Sequence, residues 1–198
     1  MKQLLFASRN RNKVREVKTL LNDFDLTILS LDDFPAVPPT TEDGETFVQN
    51  ALKKAREAFR HTGIPTLADD SGLEVFFLNG RPGVYSAHYA GEHGNDDANN
   101  KKLLEEMRGV APRRRRAQFK AVMALVGPGY EKVVEGICVG RLAEGPRGTN
   151  GFGYDPIFIP DGYAQTFGEL PDDIKNKISH RARAIQAIKE ILKKRLED

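Results

Sequence analysis

The sequence predicts an α/β protein with a mixed central sheet flanked by helices. The apolar run Leu4–Ser8 is followed by a helical pattern made by Val14, Val17, Leu20 and Leu21, as expected for a strand that leads into a crossover helix. Two strand-like runs at 117–126 and 132–142 are joined by Gly127-Pro128-Gly129, which is typical of a hairpin. Crossover helices favour parallel pairing and a hairpin is antiparallel, so the sheet is predicted to be mixed.

The remaining elements follow from spacing and from turn residues. A second helix is expected to start near Thr41 to Asp43 and to bury residues three or four apart, namely Phe47, Ala51, Ala55 and Ala58. Strands are predicted at 65–69, 73–78 and 156–159, and a polar surface helix within 95–108. Ser179 is a good N-cap for a final helix. We therefore expect one domain over residues 1–198.

Composition excludes several classes of protein. The chain has 198 residues, 39% of them hydrophobic, with 30 basic and 28 acidic residues. This balance does not favour binding to polymeric nucleic acid. No apolar stretch approaches the length of a membrane span, and we expect no secretion signal and no membrane partner. The lone Cys138 is expected to be a buried apolar residue, and a single cysteine suits the reducing cytoplasm.

Two adjacent carboxylates, Asp69 and Asp70, are the most informative feature of the chain. They follow the apolar run 64–67 and precede Ser71-Gly72 and a second apolar run. Two acids at the end of a buried strand are costly unless a cation compensates them. Oxygen ligands of this kind suit Mg²⁺ or Mn²⁺. The alternative is a surface turn between two strands, since Asp, Ser and Gly are turn residues.

A second cluster, Ser8, Asn10 and Lys13, lies between the first strand and the first helix. A helix N-terminus attracts anions, and these side chains add donors and a positive charge, so the cluster fits a phosphate. The alternative is an N-cap with an exposed lysine. In a third cluster, Glu42 precedes Asn50 and Lys54, which share one helix face beside the apolar stripe. Here the alternative is an ordinary amphipathic helix with solvated charges.

Two further clusters lie in the last quarter of the chain. Phe152-Gly153-Tyr154-Asp155 follows Gly148 and Gly151, and an aromatic ring beside a carboxylate suits a nucleobase. Alternatively, its aromatic residues belong to the core. Lys175 precedes His180 and Arg181 in the first turn of the final helix, where cations oppose the helix dipole. The alternative is a capped surface helix with a basic first turn. The basic run Arg113–Arg116 is expected to be a solvated loop.

These clusters, in this order, resemble the inosine triphosphate pyrophosphatase family, whose members hydrolyse non-standard purine nucleoside triphosphates. The resemblance covers nearly the whole chain and is strongest in residues 68–73, 152–156 and 179–181. It implies a homodimer and an elongated two-lobed α/β domain with a cleft between the lobes. It also implies a role in cleaning the nucleotide pool of ITP, dITP and XTP.

The resemblance implies a role for each matching residue. The triphosphate would be bound by Ser8, Arg9, Asn10, Arg11, Asn12 and Lys13. Glu42 and Asp70 would ligate Mg²⁺, and Asp70 would accept a proton, although the adjacent Asp69 leaves the base open because the two titrations are expected to couple. Nucleotide contacts would come from Ser71, Phe152, Gly153, Tyr154, Asp155 and Lys175, with His180 and Arg181 at the base. Two departures are Gln49, where bacterial members often have Glu, and His88, where many have Arg.

The expected reaction is attack by water on the α-phosphorus, which releases a nucleoside monophosphate and pyrophosphate. Donors from His180 and Arg181 would favour the oxygen at purine position 6 over an amino group. One alternative is a pyrophosphatase for other modified nucleotides. Another is a nucleotide-binding protein without turnover, which the intact acids Glu42, Asp69 and Asp70 argue against. The least favoured alternative is an RNA-binding protein that uses Arg113–Arg116.

Overall fold

The computed structural model describes residues 2–197, which form six strands and five α-helices. The strands are β1 Gln3–Phe6, β2 Thr27–Ser30, β3 Thr66–Val75, β4 Arg116–Gly127, β5 Tyr130–Leu142 and β6 Phe158–Pro160. The α-helices are α1 Arg11–Leu20, α2 Phe47–Thr62, α3 Asp96–Glu106, α4 Asp172–Ile178 and α5 His180–Glu197. Short 3₁₀ turns lie in the connections. None of the helices within 2–197 is long and apolar enough to cross a membrane.

The six strands form one sheet in the order β2-β1-β3-β4-β5-β6. Strand β1 is parallel to both β2 and β3, whereas β5 and β6 are antiparallel. Only Pro128 and Gly129 separate β4 from β5, which are neighbours in the sheet. The mixed α/β sheet and the hairpin predicted from the sequence are therefore confirmed.

The chain divides into two compact units. Unit 1 contains Met1–Asp70, Ala121–Gly136 and Arg181–Asp198, and unit 2 contains Ser71–Lys120 and Ile137–His180. The core of unit 1 includes Leu4, Phe6, Val17, Leu67, Met123, Ile185 and Ile188. That of unit 2 includes Leu73, Leu103, Phe119, Cys138, Ile157, Phe158 and Phe167. The prediction that Cys138 is a buried apolar residue is confirmed.

Strand β3 runs without interruption through the two acids, so the expected break between two strands is wrong. The turn-forming side chains have other functions here. A Cβ atom at Gly72 would lie 2.4 Å from both the Gly83 carbonyl oxygen and the Ser86 Oγ, so the glycine permits close packing rather than a turn. Asp69 and Asp70 are both buried, which is tolerable in a strand because each has charged or polar partners.

Helix α2 begins at Phe47, later than the expected start near Thr41 to Asp43. Thr46 and Gln49 form a reciprocal capping box: Thr46 Oγ1 accepts from Gln49 N at 3.2 Å, and Gln49 Oε1 accepts from Thr46 N at 3.1 Å. Glu42 therefore lies in the loop before the helix rather than at its N-terminal end. An amide oxygen serves this cap as a carboxylate would, which explains structurally why Gln49 is acceptable.

Two elements, β2 and α4, have no counterpart in the sequence prediction. Strand β2 pairs in parallel with β1, and α4 ends directly before Ser179. The helix expected within 95–108 is α3, with Asn95 as its N-cap. It is not simply a surface helix, since Asn99, Asn100 and Leu103 are buried.

Candidate active site

The segment Ser8–Lys13 is organised as a helix cap. Asn10 is the N-cap of α1, and its side-chain oxygen accepts from Asn12 N at 3.0 Å and from Lys13 N at 3.2 Å. Ser8 Oγ in turn accepts from Asn10 N at 3.1 Å. Ser8 and Asn12 are half-buried, whereas Arg9, Asn10 and Arg11 are exposed. The cap thus orders an accessible turn rich in donors at the positive end of a helix, as an anion site requires.

Asp69 is held by two cations. Its Oδ1 lies 3.2 Å from Lys13 Nζ, and its Oδ2 accepts from Arg181 Nη2 at 2.9 Å. Although burial opposes ionisation, Lys13 and Arg181 hold the pKa of the Asp69 carboxyl well below its usual range. Burial lowers the pKa of Lys13 despite the attraction of Asp69. Asp69 is therefore a fixed anion that orients two basic side chains.

Asp70 lies in a different environment because successive strand residues point to opposite faces. Its Oδ2 accepts from Asn50 Nδ2 at 3.0 Å, and its Oδ1 lies 3.3 Å from Lys54 Nζ. Burial and the neighbouring Glu42 carboxylate raise the pKa of Asp70 to about 6, although Lys54 and Lys13 oppose the shift. The acid that perturbs Asp70 is therefore Glu42, whereas the sequence analysis expected coupling with Asp69.

Glu42 reaches this cluster from the loop before α2. Lys54 Nζ donates to Glu42 Oε2 at 2.9 Å and so bridges the Glu42 and Asp70 carboxylates. The loop is tied down by Asn50, whose Oδ1 accepts from Gly44 N at 2.8 Å. Despite burial, Lys54 keeps the pKa of Glu42 below its ordinary value. Two carboxylates thus converge in unit 1.

The carboxylate pair of Glu42 and Asp70 has the chemistry of a hard-cation site. Across residues 2–197, no group of three His, Cys, Asp or Glu side chains forms a metal-binding cluster. Mg²⁺, however, is commonly bound by one or two carboxylates, with waters and substrate phosphates completing its shell. Burial raises the pKa of Asp70 most, and the nearby Glu42 carboxylate adds to this effect.

Arg181 is the most completely buried of the charged candidates, with 1% of the residue exposed. Its Nη1 donates to Glu16 Oε2 at 2.6 Å, and its Nη2 donates to Asp69. These carboxylates raise its pKa although burial opposes the charge. The basic first turn of α5, which is locally unfavourable, is explained by these two acids rather than by solvation.

In unit 2, the loop Phe152–Asp155, which we call the aromatic loop, is joined to α4 by a buried ion pair between Asp155 and Lys175. Asp155 Oδ2 accepts from Lys175 Nζ at 2.6 Å and from Phe152 N at 2.8 Å. Lys175 Nζ lies 4.7 Å from the centroid of the Phe152 ring, a cation–π distance. The half-buried Phe152 is therefore fixed by its own backbone and by a cation on its ring.

The other residues of unit 2 singled out in the sequence differ in exposure. Tyr154 is buried and donates through its hydroxyl to the Ser86 carbonyl at 2.9 Å. Tyr154 therefore belongs to the core, which was the alternative to a nucleobase contact. His180 is buried and stacks on Phe119, with ring centroids 4.6 Å apart. Ser71 is half-buried on β3. His88 is exposed beside Tyr85 and His93.

The basic run Arg113–Arg116 is only partly a solvated loop. Arg115 is 4% exposed, and its guanidinium donates to the carbonyl oxygens of Met107, Leu142 and Ala143. Arg116 forms a bidentate ion pair with Asp161. The expectation of solvation was therefore wrong for Arg115, because a guanidinium can satisfy several carbonyls at once.

Comparison with known proteins identifies the family of this chain. The model of the Ham1 family matches residues 4–191. The chain belongs to the Ham1 family. The match includes parts of both compact units and every candidate site residue named above, from Ser8 to Arg181.

Relatives in the Ham1 family carry a specific activity in their names. The dITP/XTP pyrophosphatase of Geobacter sulfurreducens is 48% identical over 193 residues, which cover 97% of each chain. That of Clostridium perfringens is 48% identical over 200 residues, 98% of each chain. The Ham1 protein of Coxiella burnetii has a solved structure with a TM-score of 0.89 at 40% identity, covering 98% of this chain and all of that one. The family resemblance predicted from the sequence is confirmed.

Three residues of the unit 1 cluster were not among the site residues predicted from the sequence. Asn50 and Lys54 gave a signal, because they are four residues apart at the edge of the apolar stripe, yet no role was assigned to them. Glu16 gave none, since it pairs with a residue 165 positions away. Such a partner follows only from the tertiary fold.

Proposed function

We propose that this chain hydrolyses non-standard purine nucleoside triphosphates, dITP and XTP foremost and ITP with them, to the monophosphate and pyrophosphate. The observation that carries the proposal is the full-length similarity to dITP/XTP pyrophosphatases at 48% identity. The geometry supports it, because unit 1 combines a helix-cap anion site with converging carboxylates. The reaction would remove these nucleotides from the pool before they are incorporated. A homodimer and a cytoplasmic location, as expected from the sequence analysis, belong to the same proposal.

Glu42 and Asp70 are proposed to hold Mg²⁺, with Mn²⁺ as a substitute. When bound, the ion neutralises phosphate charge and lowers the pKa of bound water. The fit rests on the two carboxylates bridged by one ammonium group, whose distances to Lys54 Nζ are 2.9 and 3.3 Å. We propose that the Lys54 ammonium compensates the charge of the two acids in the free protein.

Asp70 is proposed to be the proton acceptor. A general base works best when its pKa lies near the operating pH, and the pKa of Asp70 is raised to about 6. The pKa of Asp69 is instead held low by Lys13 and Arg181, so Asp69 is proposed to be an anchor for those cations. The water oxygen would join the α-phosphorus while the bond to the bridging oxygen breaks and pyrophosphate leaves.

We propose that Ser8–Lys13 bind the triphosphate. The Phe152 ring offers a stacking surface for the base. Further nucleotide contacts are proposed for Ser71 on β3, for Gly153, Tyr154 and Asp155 of the aromatic loop, and for Lys175 on α4. His180 is the proposed donor to the oxygen at purine position 6. Glu16 and Asp69 accept from the two terminal nitrogens of Arg181, and we propose that Arg181, anchored by these acids, contacts the base together with His180.

Hydrolysis rates measured for a set of nucleoside triphosphates test this function. With Mg²⁺ present, we expect dITP, XTP and ITP to be hydrolysed at least about tenfold faster than ATP at equal concentration, because ATP lacks the 6-oxygen. Products would be resolved chromatographically. Equal rates for every base would contradict the base assignment. Turnover of only pyrimidine or methylated nucleotides would favour the alternative pyrophosphatase, and nucleotide binding without turnover would favour a non-catalytic binding protein.

Magnesium is expected to stabilise the protein through Glu42. Adding Mg²⁺ should raise the melting temperature of the wild type and leave that of Glu42→Gln nearly unchanged, because the variant lacks one ligand. The effect should weaken below about pH 6, where Asp70 takes up a proton. Asp43→Asn is the matched control, since Asp43 is the exposed neighbour that pairs with Lys53. If Mg²⁺ raised the melting temperatures of Glu42→Gln and Asp43→Asn equally, this result would contradict the proposed site.

The RNA-binding alternative loses support from the geometry. Of the four arginines in the run, Arg115 is buried and Arg116 is engaged with Asp161. Phosphate contacts need accessible cations, and this segment offers fewer than its sequence suggests.

A further inference from the structure

We propose that Asp96 and Asn100 of α3 are positioning residues that hold the aromatic loop in the conformation that recognises the base. The proposal rests on the proposed function, because it assigns these residues to the nucleotide end of that reaction. Neither residue belongs to the site described above. Their effect is exerted through Gly153, at the centre of the aromatic loop.

The contacts on Gly153 come from one face of one helix. Asp96 Oδ2 accepts from Gly153 N at 2.6 Å, and Asn100 Nδ2 donates to Gly153 O at 2.8 Å. Residues four apart on a helix are neighbours on its surface. Helix α3 therefore holds both polar backbone groups of a single loop residue, one as acceptor and one as donor.

The aromatic loop needs such a restraint because of its glycines. Gly151 and Gly153, on either side of Phe152, both have positive φ, at 76° and 62°. Glycine reaches this region without steric cost, but it also leaves the chain free to adopt other conformations. Helix α3 fixes the residue after Phe152, while the Asp155 carboxylate fixes Phe152 N. Together these bonds define where the Phe152 ring lies.

The burial of Asn100 supports a dedicated role. The residue is 8% exposed, and its Oδ1 finds no hydrogen-bond partner within the described residues 2–197. A buried polar atom left in this state costs free energy. The bond from Nδ2 to Gly153 is the contact that accounts for keeping an amide at this position rather than an apolar residue.

Loss of the bonds to Gly153 is expected to affect binding of the base more than the chemical step. Loosening Gly153 would misplace the Phe152 ring relative to Lys175, whose ammonium lies 4.7 Å from the ring centroid. The side chains that bond Gly153 are Asp96 and Asn100, and neither is a proposed metal ligand or proton acceptor. Loss of the restraint should therefore raise KM and reduce discrimination between bases, with a smaller effect on kcat.

The experiment compares three variants of the full chain. For Asp96→Ala we expect the KM for dITP to rise about tenfold, the size of one lost charge-assisted hydrogen bond, with kcat within about threefold. Asp96→Asn should recover most of the KM because its amide oxygen still accepts. Asp97→Ala is the matched control: it removes the same charge from the same helical turn, and its side chain is exposed. Its KM should stay within about twofold of the wild type.

The possible results separate a failure of this proposal from a failure of the proposed function. A wild-type protein that does not hydrolyse dITP or XTP overturns both. A wild type that does, with equal KM in Asp96→Ala and Asp97→Ala, overturns the positioning role alone. The positioning role is also overturned if Asp96→Ala lowers only kcat, or if the KM of Asp96→Asn stays as high as that of Asp96→Ala. If Asp96→Ala lacks a cooperative melting transition, Asn100→Ala decides, with the same rise in KM expected and an unchanged KM contradicting the proposal.

Discussion

Replacing Asp70 with asparagine is expected to lower kcat for dITP by about 10²–10⁴-fold, the usual contribution of a general base. The amide cannot accept a proton at neutral pH, and it is a weaker ligand for a hard cation. The side chain keeps its size, so packing on β3 is retained. Steady-state kinetics with saturating Mg²⁺ would measure the effect. Activity within tenfold of the wild type would contradict the assignment.

Folding stability separates this loss from unfolding. The pKa of Asp70 is raised from 3.8 in the unfolded chain to about 6 in the folded protein, so ionisation disfavours the metal-free fold. The wild type should lose on the order of 1–3 kcal/mol of unfolding free energy as the pH rises from about 4 to above 6. Asp70→Asn should lack this decline and be at least as stable at pH 7. An inactive variant that is also strongly destabilised would leave Asp70 with a structural role only.

Replacing Arg181 with methionine is expected to lower the free energy of unfolding by about 3–5 kcal/mol. The change leaves the half-buried Glu16 and the buried Asp69 without the guanidinium that binds them at 2.6 and 2.9 Å. Because the pKa of Asp69 lies below its unfolded value of 3.8, the stability from this pair is present above that pH and declines as the pH falls below it. Urea unfolding at pH 7 would measure the loss.

The control for Arg181→Met is an exposed ion pair of the same unit. Arg56 pairs with Glu131 at 2.6 Å, but both side chains are more than 40% exposed, so Arg56→Met should cost no more than about 1 kcal/mol. Adding Glu16→Gln to Arg181→Met should recover part of the stability, because one uncompensated charge is removed. Equal losses in Arg181→Met and Arg56→Met would contradict the network.

The sequence predicts well those helices, strands and turns that depend on residues close together in the chain. The β1–α1 start and the β4–β5 hairpin follow from periodicity and turn residues within a few positions. The break expected between Asp69 and Gly72 did not occur, because turn-forming residues are also used where a strand binds cations or packs closely. Had the strand been continued, its period of two would have placed Asp69 and Asp70 on opposite faces.

The partners of the two acids lay beyond what local patterns can give. Glu42 meets Asp70 through a loop that Asn50 ties down, and Arg181 meets Glu16 across 165 residues. These contacts decide which acid is held ionised and which has a raised pKa. The sequence could name both acids as candidates, but their different environments depend on the tertiary fold.

The position of bond cleavage tests the central claim most directly. Hydrolysis of dITP in ¹⁸O-labelled water, with products analysed by mass spectrometry, reports which phosphorus the water attacks. Attack at the α-phosphorus places the label in the nucleoside monophosphate and leaves the pyrophosphate unlabelled, which is the result we expect. Label in the pyrophosphate, or release of orthophosphate and a nucleoside diphosphate, would contradict the proposed reaction.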